Sequence, residues 1–168
     1  MSQKQGLGLD GHFNVVCLDK NGKEKWREDI SNLVVNAGLD HALDSTLAGG
    51  TQIATWYVGL TDGTPTVAAG DTMSSHAGWT EVTAYSEAVR QTFTAGAVSG
   101  QSVDNSGSTA NFSINGTTTV GGCFITSVNT KSGTTGTLFS VGAFSGGDRS
   151  ASNGDTLQVT YTLTSADA

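Results

Sequence analysis

The first residues that invite a chemical reading are Gly6-Leu7-Gly8-Leu9-Asp10-Gly11, which spell the G-x-G-x-x-G of dinucleotide sites. That motif cradles a pyrophosphate only where a strand enters the glycines and a helix leaves them, so that backbone N–H groups converge on the anion. Here polar residues precede the glycines and a strand pattern follows, in a chain with 23 glycines, so composition accounts for the letters. Zinc calls for His or Cys at short paired spacings, whereas His12, His41 and His76 stand in separate segments. Asp40, His41 and Ser45 bring a carboxylate, an imidazole and a hydroxyl close together in sequence. A nucleophilic triad needs its members to converge from a strained turn and a separate base loop, and one helix surface offers neither.

Paired carboxylates for glycoside hydrolysis would have to come from Asp62, Asp71, Glu81 and Glu87. The separation that decides such chemistry is a property of the fold, not of the sequence. The loop aspartates Asp62, Asp148 and Asp155 do not follow a calcium-loop spacing. Trp79 and Tyr85, beside a long loop, are the residues that would stack on a sugar ring. The sequons Asn111-Phe112-Ser113 and Asn115-Gly116-Thr117 carry no weight without a secretion signal. No catalytic, cofactor-binding or metal-binding residue is assigned, and no enzyme is expected.

The elements behind these residues are mostly strands. His12–Leu18 and Lys23–Glu28 flank Asp19-Lys20-Asn21-Gly22, whose Asn-Gly pair predicts a hairpin over 12–28. Leu39, Leu43 and Leu47 recur four apart and predict one short helix over 37–48. Asn36 is its expected N-cap and Gly49-Gly50 its stop, with the leucine row turned onto a sheet. Trp56, Val58 and Leu60 alternate in a strand, and residues 61–78 have neither period, which reads as a long loop of the kind that forms binding surfaces. Further strands lie around Val89–Ala95, Ala110–Ile114, Val120–Val128, Thr137–Phe144 and Leu157–Leu163, separated by Gly, Ser and Asn turns. Some eight short strands with one apolar face each bury it by packing as two sheets. The expected fold is mainly all-β, an antiparallel β-sandwich of jelly-roll or immunoglobulin-like topology with the one helix. Residues 1–11 are expected to be a flexible arm and 12–168 a single domain.

Composition narrows the partners. Charged residues make up 14% of the 168, against about 25% in ordinary globular domains. The net charge of −7 argues against nucleic acid and anionic membranes. No run approaches the ~20 apolar residues of a membrane-spanning helix, and Met1–Gln5 lead into glycines and not into the apolar core of a signal peptide, which points to synthesis in the cytoplasm. Cys17 and Cys123 lie within apolar strand patterns where buried thiols belong, and two cysteines make no disulfide framework. Five of the eight Lys and Arg residues fall in the first 27 positions. Lys4 on the arm and Lys20, Lys23, Lys25 and Arg27 on the hairpin, together with Trp79, are the candidate partner-contact residues.

Several stretches carry a likeness to a family. They are Asn32–Leu39, Thr51–Leu60, Ala84–Arg90, Phe112–Asn115, Gly121–Ile125, Gly136–Ser140 and Gly154–Tyr161. Together they resemble small virion structural proteins of tailed bacteriophages, including capsid decoration (cement) proteins, over roughly residues 30–163. The resemblance implies a non-enzymatic β-sandwich on the capsid exterior that binds the major capsid protein and clamps neighbouring capsomers, as a symmetric dimer or trimer and without a cofactor. A tail- or fibre-associated protein that recognises host glycan is the alternative.

Overall fold

The computed structural model describes residues 7–167. Along the chain run β1 (Leu7–Leu18), β2 (Glu24–Ser31), β3 (Leu33–Val34), α1 (Asn36–Leu43), β4 (Trp56–Asp62), β5 (Thr80–Glu81) and β6 (Gln91–Phe93). Then come β7 (Ser102–Asp104), β8 (Ala110–Ser113), β9 (Thr118–Val120), β10 (Gly122–Thr126), β11 (Leu138–Ala143), β12 (Arg149–Ala151) and β13 (Thr156–Asp167). Every described pairing is antiparallel, and two sheets pack face to face as the expected sandwich.

The first sheet is ordered β2-β1-β13, with β7 and β8 both on the far side of β13. The β1–β2 hairpin forms as Asn21-Gly22 predicts. Asp19 closes its turn by accepting the N–H groups of Asn21 and Lys23 at 2.8 and 3.0 Å. β1 is central to the sheet and pairs with β13 from Leu7↔Asp167 to Leu18↔Thr156. Residues 7–11 are therefore ladder and not arm, their alternation masked by Gly8 and Gly11, while residues 1–6 of the expected arm, with Lys4, lie outside the described residues.

The second sheet is ordered β3-β11-β10-β4, with β5 and β6 sharing the free edge of β4. Its inner face supplies Val58, Leu60, Cys123, Ile125 and Phe139 to the core, against Phe13, Val15, Cys17, Leu157, Val159 and Tyr161 of the first sheet. Phe13 and Tyr161 are cross-strand partners with ring centroids 4.6 Å apart, the close aromatic pairing that stabilises a ladder. The outer face is buried as well. Phe124, Leu138 and Val141 on that side lie under Val35, Met73 and Trp79, with Ala37 and Val67 at the margin. The loop expected to be a binding surface is thus a cover. Asp71 shapes it by accepting the N–H of Ala68 at 3.1 Å and the indole N–H of Trp79 at 3.3 Å.

The helix completes this cover, and Gly38 fixes how closely it sits. A Cβ on Gly38 would collide with the backbone carbonyl of Phe139, an atom with nowhere to retreat. We expect Gly38→Val to cost about 1–3 kcal/mol and to lower the melting temperature by roughly 2–4 °C for each kcal/mol. Gly70→Ala, where a Cβ meets open space, should leave it unchanged or slightly raised. Circular dichroism melts of the two variants test the seating directly.

Candidate docking surface

The helical segment covers Asn36–Leu43 as α-helix and continues through Asp44–Ala48 as one π-helical turn. Its cap is Val35, in extended conformation with no side-chain capping bond. Asn36 is the first helical residue, and its N–H is taken by the Ala69 carbonyl at 2.8 Å. In the widened turn two hydroxyls compete for the Ala42 carbonyl, Thr46 at 2.6 Å and Ser45 at 3.4 Å, the local bonding that loosens a helical ladder. Gly49, at φ +77°, ends it as expected.

The face turned to the sheet is the opposite of the one expected. Ala37, Gly38, His41, Ala42 and Ser45 lie inward, with the His41 ring 5.4 Å from that of Trp56 in an edge-to-face pair. Leu39, Leu43 and Leu47 are 39%, 57% and 82% exposed, and Leu33 on the neighbouring edge strand is 40% exposed. The reason is steric. Only the small-residue side lets the helix backbone approach the main chain of Phe139, and a leucine there would hold it off. Burying a leucine fully is worth about 1.5–3 kcal/mol, so the row represents stabilisation that the isolated chain leaves unused. Asp40 and Asp44, both exposed, each follow a leucine and run beside the row.

Trp56 links the helix to a second apolar feature. Its indole also walls a cleft of about 210 Å³ between the sheets, lined with Phe93, Val103, Phe139, Tyr161 and Leu163 among others. Tyr161 turns its hydroxyl away from this cleft to Asn32 and Ser140, at 3.1 and 3.3 Å. Burial pushes its ionisation up to about 12.

The residues proposed for chemistry are dispersed or occupied. His41 and Ser45 face the protein, and Asp40 faces solvent. Glu81 is bound in a bidentate pair by Arg90, with Nε and Nη2 donating at 2.8 and 2.7 Å. Glu87 accepts the Ser113 N–H. Asp148 accepts the Thr64 hydroxyl at 2.5 Å. Among the described residues no three His, Cys, Asp or Glu groups gather as a metal site. Leu7–Gly11 are strand, so no helix follows the glycines.

Of the contact residues, Lys25 pairs with Asp155 at 2.5 Å, Arg27 with Glu24 at 2.9 Å, and Trp79 is 5% exposed under the stacked His76 ring. Tyr85 is also buried, with the Lys131 ammonium 3.7 Å from its ring centroid. Lys20 and Lys23 stay exposed at the hairpin turn and have no ion-pair partner among the described residues. No family model and no curated protein matches this sequence. Among the described residues no helix is long and apolar enough to cross a membrane.

Two outcomes follow from these positions. Leu43→Ser and Leu47→Ser should each change unfolding free energy by no more than about 0.5 kcal/mol, whereas Phe124→Ala should cost about 3–5 kcal/mol. Urea titrations read both, and a large loss from either leucine variant would mean that the row packs inward. The free thiols Cys17 and Cys123 are fully buried. Burial, with the Asp155 carboxylate adding to it, pushes Cys17 up to about 12, and burial raises Cys123 as well. Since the thiolate is the reactive form, neither should react with an aromatic disulfide reagent at pH 8 until denaturant opens the fold. The raised folded values favour the native state below the unfolded thiol value near 9. That contribution should fade as pH climbs from about 9 towards 12, which an alkaline series of melts would show.

Proposed function

We propose that this protein is a virion structural protein that works by binding, a decoration protein on the exterior of a tailed-phage head that strengthens contacts between capsomers. The observation that carries the reading is the outward leucine row. A small domain that seats a helix by its alanine, glycine and serine face and offers its leucines to solvent carries a docking surface. The resemblance over roughly residues 30–163 supplies the partner, the major capsid protein. In this reading the many equivalent sites of a shell turn modest contacts into firm attachment, and the protein acts as a symmetric dimer or trimer at the shell's symmetry axes. The glycan-binding reading draws no support from Trp79 and Tyr85, whose rings are 5% and 1% exposed.

The test is to heat phage heads with and without the protein and follow release of DNA. Heads that carry it should rupture at a higher temperature. Identical rupture temperatures would end the clamp role. A copy number in purified particles that follows the tail and not the shell would end the head location.

A further inference from the structure

We infer that the 36–48 helix docks in an apolar groove whose rim carries lysine or arginine on the partner protein, and that a second copy of this chain is not what covers it. The inference rests on the head-binding reading and names the chemistry of that contact. Leu39, Leu43 and Leu47 supply an anchor row with the four-residue repeat by which a helix fills a groove. Asp40 and Asp44 run alongside it, and among the described residues neither has an ion-pair partner. No Lys or Arg occurs between Arg27 and Arg90 in the sequence.

Among the described residues, the cations elsewhere are committed or distant. Arg90 is buried against Glu81. Arg149 is paired with Glu28. Lys131 donates to the Tyr85 carbonyl at 2.7 Å. Lys20 and Lys23 sit at the turn that begins β2, whereas the helix follows its other end, eight residues on and roughly 25 Å along an extended strand. A two-fold contact through the helix would set one leucine row against another and the Asp40–Asp44 row of one copy near that of its twin. Like charges so placed are destabilising. A groove edged with Lys or Arg turns the same two carboxylates into attraction, and it would also make attachment weaken as salt rises.

The test uses heads purified from a phage lacking the protein, incubated with the purified full chain and pelleted at low and high salt. The natural protein should co-pellet, less tightly at high salt. Leu43→Ser/Leu47→Ser together should weaken binding on the order of a hundredfold while keeping the natural melting temperature. Asp40→Asn/Asp44→Asn should bind several-fold more weakly and lose most of the salt dependence, and Asp40→Lys/Asp44→Lys should bind more weakly still. If the natural protein pellets and these variants pellet equally well, the head-binding reading stands and the helix inference fails. If the natural protein does not pellet, the head-binding reading fails and the inference with it. Sedimentation equilibrium supplies the remaining outcome. A dimer that Leu43→Ser/Leu47→Ser converts to monomer would show that a second copy covers the row, and would overturn the proposal.

Discussion

The structure depends on one constraint, the burial of the second sheet on both faces. A strand in a two-layer sandwich has one face for the core and one for water, and polar residues fill the outer positions. β10 and β11 do not follow that scheme. All five residues of β10 are buried, with Cys123 and Ile125 facing inward and Phe124 outward. An outer face bearing Phe124, Leu138 and Val141 has to be covered, and the chain covers it with the segment between β4 and β5 and with the start of the helix. Met73, Val67 and Trp79 descend from the loop, and Val35 and Ala37 from the helix entrance. The Asn36 N–H on the Ala69 carbonyl joins the two parts of the cover at 2.8 Å.

That cover determines what the helix shows to the outside. The sheet's apolar area is already taken by loop side chains, so the helix is not needed as a donor of large side chains. It is needed close in, where only small residues fit. Gly38 against Phe139 fixes the distance, and the side-chain direction of a helix then carries Leu39, Leu43 and Leu47 away from the sheet. The exposed row is therefore a geometric consequence of the double-sided burial and not an accident of the surface.

The strands were largely legible. Leu157, Val159, Tyr161 and Leu163 alternate cleanly, and Asn21-Gly22 specifies its hairpin, because period two and turn chemistry are local properties. The helix was legible in position but not in orientation. Three leucines four apart have the pattern of a core stripe, and the competing signal, Ala37-Gly38 with Ala42 and Ser45 on the other side, is intelligible only once a sheet backbone lies within reach. The cover was not legible. Val67, Met73 and Trp79 stand six residues apart, a spacing that specifies neither a strand nor a helix, since a loop buries residues wherever its path happens to turn inward. The hairpin cations misled for a related reason. Lys25 finds Asp155 130 positions away in sequence, a proximity created by the β2-β1-β13 order of the sheet.

The buried Arg90–Glu81 pair bears on how well such a surface can bind. Arg90 is enclosed by Glu81, the carbonyls of Val128 and Gly133 at 2.7 and 3.0 Å, and the Phe124 ring at 5.2 Å. Ion pairs taken out of water contribute little net stability compared with apolar packing, because desolvation offsets most of their attraction. Their geometric demand is strict all the same. This one joins β5, the approach to β6 and the 127–136 turn, three short segments with little ladder bonding of their own. Fixing them holds the edge of β4, and Trp56 at the start of β4 supports His41 and Phe139 beneath the helix. A helix supported in this way loses little conformational freedom when a partner covers it, and binding surfaces gain affinity chiefly by reducing that loss. In the proposed docking, the buried pair would act through rigidity, at a distance from the leucines it never touches.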